Sequence, residues 1–269
     1  MLPPFAVHYD VMAVLVVLAV GYWWAERRIR PLADPSAARA TRPQWWNWYS
    51  GVFFVWLASG WPMHDLAEER LFTAHMVEHM IIGYVVPPLL LSGMSRWLAD
   101  ATLGRLSRFI RPIAHPVVGF FTFNTMLVVV HWPDAVEWQI QAEFTHLLYH
   151  AVLFATAMLM WLPVASPTPA IPRLSQPMQM LYLFLNTLIP TVPASFLTFS
   201  STPLYPIYGD GPSTWGLTLV ADQTIAGIVM KLGGGFLLLG RILAIWIRYN
   251  RDERKWDAIE RRLAHVEHS

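Results

Sequence analysis

Long apolar runs separated by short polar segments dominate the chain. A bilayer core about 30 Å thick requires about 20 mostly apolar residues per helix, and seven runs meet or approach that length. They are Tyr9–Ala25, Trp46–Trp61, Leu71–Leu91, Ile113–His131, Phe144–Pro163, Met178–Ser200 and Val220–Ile247. The pattern predicts an all-α, polytopic membrane protein in which residues 1–247 form a seven-helix bundle and residues 248–269 form a charged tail.

The positive residues predict the orientation of this bundle. Arg and Lys are concentrated after the first, third and fifth runs and in the C-terminal tail. Arg70 is the only Arg or Lys in the N-terminus and in the connections after the second, fourth and sixth runs. Positively charged loops stay on the cytoplasmic side. We therefore expect a multi-pass protein of a bacterial plasma membrane, with its N-terminus outside and its C-terminal tail in the cytoplasm.

The composition agrees with a membrane protein and excludes other classes. Hydrophobic residues make up 55% of the 269 residues and charged residues 14%, whereas soluble domains average roughly 25% charged residues. The net charge of +1 gives no basic face for nucleic acid. Cysteine is absent, which excludes disulfides, thiolate metal ligands and cysteine nucleophiles.

Histidines are the most informative polar residues inside the runs. His75 and His79 are spaced i,i+4 in the third run, and His146 and His150 are spaced in the same way in the fifth. Each pair therefore shares one helix face, and the predicted topology places both pairs in the outer half of the membrane. We expect them to line one outward-facing metal site; the alternative is that they are hydrogen-bonded packing residues. Further candidate ligands near the outer surface are His64, His131, Met76 and Met80.

The ligand types favour copper among the possible metals. Imidazole binds several first-row metals, and a thioether adds a preference for Cu(I). The outer half also contains other notable residues, namely Glu78, Asp222, Gln223, Met230 and Lys231. Glu78 and Lys231 have similar predicted depths, so we expect an ion pair between them. The alternative places Lys231 at a wet cavity or lipid headgroup and a protonated Glu78 beside the histidines.

One short motif permits an enzymatic interpretation. Residues 75–79 read His-Met-Val-Glu-His and match the H-x-x-E-H pattern of a zinc protease family. A five-residue pattern inside an apolar run is weak evidence for a membrane metalloprotease. We therefore expect a protein that is not an enzyme.

Several short motifs are distributed along most of the chain. They are Ala74-His75-Met76-Val77-Glu78-His79-Met80, Val86-Pro87-Pro88-Leu89-Leu90-Leu91, Gly93, His115-Pro116, His131-Trp132-Pro133, His146, His150, Leu204-Tyr205, Asp222-Gln223, Gly227 and Met230. Together, over roughly residues 50–247, these motifs resemble one known family, the seven-helix CtaG type of cytochrome c oxidase assembly factor.

This resemblance implies a role in maturing haem-copper oxidases, with copper as the metal that is handled. The implied partners are the lipid bilayer and either oxidase subunits or a periplasmic copper carrier. The alternative is a b-type membrane cytochrome, in which histidines from facing helices bind haem and quinol donates electrons. The i,i+4 pairs argue against that alternative, because the second histidine of each pair would have no role.

Overall fold

Helices account for nearly all regular structure in the protein. The computed structural model describes residues 2–141 and 143–267, is 80% helical and contains no strand in those ranges, which confirms the all-α prediction. The main helices are α1 (Tyr9–Ala33), α2 (Arg42–Ser59), α3 (Met63–Glu69), α4 (Phe72–Gly93), α5 (Ser107–Ile113), α6 (Pro116–Val130), α7 (Pro133–Gln141), α8 (Glu143–Ala165), α9 (Gln176–Phe199) and α10 (Leu219–Ile228, Val229–Gly233 and Gly234–Glu267). Shorter helical segments are Arg96–Ala99, Asp100–Gly104, Pro206–Tyr208 and Gly211–Trp215.

Five described helices are long and apolar enough to cross a membrane, namely α1, α4, α8, α9 and α10. The pair α5 and α6, bent by 68°, would make a sixth. The second predicted run lies in α2, an 18-residue helix that is not among these candidates. Large apolar side chains such as Phe121, Phe196 and Phe236 are more than half exposed, as expected for surfaces that face lipid. The protein is therefore a membrane protein, and seven spans and their orientation stay predictions.

The C-terminal boundary placed at residue 247 falls inside a continuous helix. The last segment of α10 runs without a break from Gly234 to Glu267, so the charged tail continues the helix that precedes it. Residues 268 and 269 of the predicted tail lie outside the described residues.

Two consecutive prolines shape the middle of α4. Neither Pro87 nor Pro88 has a backbone N–H, so a pair of prolines favours a break or a kink in a helix. The helix instead continues to Gly93, with a π-helical turn at Ile81–Val85. The Gly83 carbonyl, whose α-helical donor would be residue 87, accepts a hydrogen bond of 3.0 Å from the Trp161 indole of α8. The neighbouring helix thus replaces a bond that proline cannot make.

Helix α4 is the central element of the bundle. One side of α4 packs with α6, α8, α9 and α10 in the larger hydrophobic core, which contains Met76 and Phe123. The second half of α4 packs against α1 and α2 in a smaller hydrophobic core. Close approach to α2 depends on Gly93, where an added Cβ would lie 2.5 Å from the Trp48 backbone nitrogen. Both faces of α4 are therefore fixed by neighbouring helices.

Candidate metal centre

The four paired histidines lie together where α4 and α8 begin, at what we call the histidine end of the bundle. The ring centroids of His75 and His79 are 4.2 Å apart, and those of His146 and His150 are also 4.2 Å apart. The two pairs meet at His79 and His150, whose centroids are 5.3 Å apart. The i,i+4 spacing that the sequence shows thus produces two pairs of adjacent, tilted rings on facing helices.

Two further predicted ligands extend the cluster at opposite sides. His64 of α3 lies with its ring centroid 5.2 Å from that of His146. His131, directly after α6, lies 5.6 Å from His79 by the same measure. The Tyr205 hydroxyl donates a 2.7 Å hydrogen bond to the backbone carbonyl of His131, which anchors the end of α6. Six predicted histidines therefore form one continuous cluster.

His131 presents a free lone pair to a thioether. Its Nδ1 lies 2.5 Å from the Leu127 carbonyl oxygen, which can only accept, so in the neutral ring Nδ1 carries the proton and Nε2 does not. Nε2 lies 3.1 Å from Met76 Sδ. Zinc, for example, makes bonds of about 2.0 Å to nitrogen and about 2.3 Å to sulfur. At ligand–metal–ligand angles between a right angle and a tetrahedral one, such a nitrogen and sulfur lie about 3.1–3.6 Å apart. The pair has the spacing of two ligands of one ion.

The most deeply buried rings have unused nitrogen atoms. His75 is 0% exposed and His79 3%, yet neither nitrogen of either ring has a hydrogen-bond partner among the described residues. Buried polar atoms are normally paired, because an unpaired one costs about 1–3 kcal/mol. Neutral imidazoles with free lone pairs are the form that binds metal. The residues present therefore fit a metal ion.

Two carboxylates contact the histidines. Glu78 is fully buried, and its Oε1 lies 3.1 Å from His64 Nδ1 and 3.5 Å from His150 Nδ1. Glu68 Oε1 lies 3.0 Å from His146 Nε2 and 3.3 Å from His64 Nε2. Each carboxylate thus joins a histidine of α8 to His64 of α3.

These carboxylates control the protonation of His64. Burial alone would lower its pKa, but the hydrogen bond to Glu78 and the charges of Glu78, Glu68 and Asp65 outweigh burial and raise the pKa to about 9. Burial raises the pKa of Glu68, whereas its bond to His146 and the charge of His64 lower it, with a net decrease. A metal ion that binds His64 must therefore displace a proton.

A cavity of about 500 Å³ leads to this cluster from the side of α1 and α2. Its wall includes His64, His146 and His150, together with Glu68 and His8, whereas His75 and His79 lie deeper. The rings themselves are packed against one another, so the cavity lies beside them and not between them. This packing leaves no slot for a porphyrin between the paired rings, and the haem alternative is not favoured.

The whole chain can now be compared with known proteins. Residues 20–252 match the sequence model of the cytochrome c oxidase caa3 assembly factors. The chain belongs to this family. Searches of curated proteins and of solved structures gave no match. This membership confirms the family resemblance seen in the sequence. It assigns the chain to the assembly of cytochrome c oxidase and implies interaction with that oxidase. It also suggests a role other than catalysis.

Two residues of this caa3 assembly factor contact the cluster although the sequence analysis did not select them. Glu68 lies one helical turn after His64 in α3, a spacing visible in the sequence. His8 precedes α1, and its Nε2 lies 3.1 Å from Asp65 Oδ2 while its ring centroid lies 4.9 Å from that of His64. Because no local spacing connects residue 8 to residue 64, only the folded chain identifies His8.

Other predicted residues of the caa3 assembly factor have structural contacts away from the rings. Met80 Sδ lies 3.2 Å from the position of a Cβ added at Gly234, so Met80 packs against α10. Met230 is 1% exposed in the larger core. Gln223 holds the loop after α9, since its Oε1 accepts a 2.7 Å bond from the Leu204 amide.

Asp222 stabilises the beginning of α4. Its carboxylate accepts hydrogen bonds from the backbone amides of Phe72 at 2.7 Å and Thr73 at 3.1 Å. These are first-turn amides, which lack partners within the helix, and a negative charge there also favours the helix dipole. Asp222 therefore acts as a cap that joins α10 to the helix of His75 and His79.

The predicted ion pair between Glu78 and Lys231 is wrong. Glu78 is buried and faces His64 and His150, whereas Lys231 is exposed on the π-helical turn of α10. Within the described ranges, no carboxylate lies within 4.0 Å of the Lys231 ammonium. A similar depth, estimated from residue number, does not determine the faces on which the two residues lie.

Proposed function

We propose that this assembly factor holds copper as cargo at the histidine end and delivers it to a haem-copper oxidase in the bacterial plasma membrane. The observation that carries the proposal is the pair His75 and His79, which are buried and whose ring nitrogens have no hydrogen-bond partner within the described part of the chain. Such rings cost stability unless a ligand binds them. A neighbouring thioether favours Cu(I) among the metals that bind imidazole.

The protein environment suits a cargo that is held and later released. Glu78 places one negative charge beside the rings, which offsets the charge of a bound cation in a buried site. The buried ligands are neutral imidazoles and a thioether, so a competing ligand can replace them one at a time without moving a proton, whereas His64 regains a proton when copper leaves it. The cavity beside His64 and His146 gives a carrier or acceptor access to the first of these ligands.

The direction of loading follows from the expected orientation. With the arginine-rich segments in the cytoplasm, the histidine end faces the periplasm, and a periplasmic carrier reaches the cavity without crossing the bilayer. A reporter fused after residue 269 should then be cytoplasmic, and one fused before residue 1 should be periplasmic. The opposite result would remove periplasmic loading from the proposal.

The central experiment measures copper in the factor and in its client. The purified protein is stripped with a chelator, loaded with Cu(I) under reducing conditions and dialysed against a Cu(I) competitor. The double variant His75→Leu/His79→Leu should lose at least one equivalent of copper. In cells that lack the native factor, the same variant should leave the oxidase with less copper and less activity.

The matched control is His115→Asn. His115 is exposed before α6, where its Nδ1 accepts a bond from the Val117 amide, and asparagine retains a cap at that position. This variant should bind copper as the native chain does. Full copper occupancy in the double variant, or a haem absorption band in the purified native protein, would overturn the proposal.

A further inference from the structure

The cluster is too extended for a single ion. Ligand atoms of one metal ion lie within about 4 Å of one another, because each bond is about 2.0–2.1 Å long. From His64 the rings continue through His146, His150 and His79 to His131, with successive centroid distances of 5.2, 4.2, 5.3 and 5.6 Å. Among the described residues, ring contacts join His64 to His146 and His150, and His131 to His79, but no ring contact joins His64 to His131. The cluster therefore offers at least two positions.

The ligands at the end beside the cavity are nitrogen and oxygen. His64, Glu68 and His146 each offer one ligand atom, and these atoms all lie within 4.8 Å of one another. Asp65 and His8 lie next to them, and the Glu68 side chain is 32% exposed. A set of imidazole and carboxylate ligands accepts divalent ions such as Zn²⁺ as well as copper. We call this group the outer site.

The ligands at the buried end are nitrogen and sulfur. His131 Nε2 and Met76 Sδ are 3.1 Å apart, His79 is the neighbouring ring, and Met76 is 0% exposed. Glu78, the buried carboxylate of α4, directs its Oε1 to His64 and His150 and not to this group. A set of imidazole and thioether ligands favours Cu(I). The His75 ring, with its centroid 4.2 Å from that of His79, belongs to the same end, and we call His75, His79, His131 and Met76 the inner site.

We infer that the protein has two metal sites of different selectivity, connected by His150 and Glu78, and that Cu(I) moves between them by ligand exchange. This inference rests on the proposed function, since it takes copper as the cargo. Copper remains Cu(I) throughout, so the transfer requires no electron donor or acceptor. Each bond to a ligand of one site is replaced by a bond to the next ring. The inner site excludes divalent ions that the outer site admits.

The test combines Cu(I) and Zn²⁺ binding with copper X-ray absorption on the detergent-purified full chain. The native protein should bind two Cu(I), with sulfur among the ligands, and Zn²⁺ only at the outer site. Met76→Leu, a volume-conserving change, should lose one Cu(I) and the sulfur signal but retain Zn²⁺. Glu68→Gln should weaken Zn²⁺ binding at least tenfold and retain the sulfur signal.

Matched controls are available beside each site. Met80→Leu changes the methionine that packs against Gly234, and Glu69→Gln changes an exposed carboxylate next to Arg70; both should behave as the native chain. One Cu(I) per chain, with no Zn²⁺ site sensitive to Glu68, would overturn the two-site inference and leave the proposed function standing. Absence of Cu(I) binding would overturn both.

Discussion

Replacing His75 with leucine should stabilise the metal-free protein. His75 is 0% exposed, and both ring nitrogens lack partners among the described residues. An unsatisfied buried polar group costs about 1–3 kcal/mol, and leucine removes that cost while filling much of the same space. We therefore expect His75→Leu to raise the free energy of unfolding by about 1–3 kcal/mol. That gain corresponds to roughly 3–9 °C in the thermal midpoint.

Copper should reverse the order of thermal stability of the native protein and His75→Leu. A ligand that binds only the folded state adds about 2.7 kcal/mol at one hundred times its dissociation constant. The native protein should gain that amount with Cu(I), whereas His75→Leu should gain less. The assay is a thermal melt of both proteins in the same detergent, once with a chelator and once with Cu(I).

A loss of stability in the metal-free variant would refute this reasoning. If His75 is a packing residue that the fold requires, His75→Leu should lower the midpoint even with a chelator present. Phe123→Leu is the control for damage to the core, because Phe123 is 1% exposed and belongs to the larger hydrophobic core. This control should melt at a lower temperature than the native chain under both conditions.

Three further changes test the helix contacts that support the site. Asp222→Ala should lower the free energy of unfolding by about 1–2 kcal/mol, because it leaves two first-turn amides of α4 unpaired; Asp222→Asn should cost less in the same melt. Lys231→Met should leave the folded yield unchanged, since the ammonium has no carboxylate partner in the described ranges; a clear drop in yield would restore the ion-pair hypothesis. Gly93→Ala should sharply reduce the yield through contact with the Trp48 backbone, whereas Gly235→Ala, which has open space, should not.

The sequence predicted the helices well because each of them reflects a local property. Apolar runs of sufficient length gave the positions of α1, α4, α8, α9 and α10, and i,i+4 spacing gave the two histidine pairs. The sequence alone does not determine how α4 accommodates its proline pair. Its effect on α4 depends on Trp161, which lies 78 residues away from Gly83 and compensates for the missing donor.

The composition of the site could be predicted only in part from the sequence. The depth of a residue along a helix follows from its number. Similar depth therefore allowed us to predict that His75, His79, His146 and His150 lie together. The direction of a side chain around the bundle depends on the neighbouring helices, so the partner of Glu78 was predicted wrongly. His8 lies outside the apolar runs, where no periodic pattern relates it to the rings, whereas the i,i+4 spacing of Glu68 from His64 was visible but was not used.

The hydrogen bond between Trp161 and Gly83 has a consequence for how the site keeps its shape. Pro87 removes a bond that would have stayed within α4, and the free carbonyl joins α4 to α8, the two helices that bear the four paired histidines. This buried bond resists rotation of one helix against the other. Binding sites tolerate errors of only about 0.5 Å in the placement of their ligands. If copper binds as proposed, its affinity should therefore depend on Pro87 and Trp161 as well, although the bond they create lies beyond the rings.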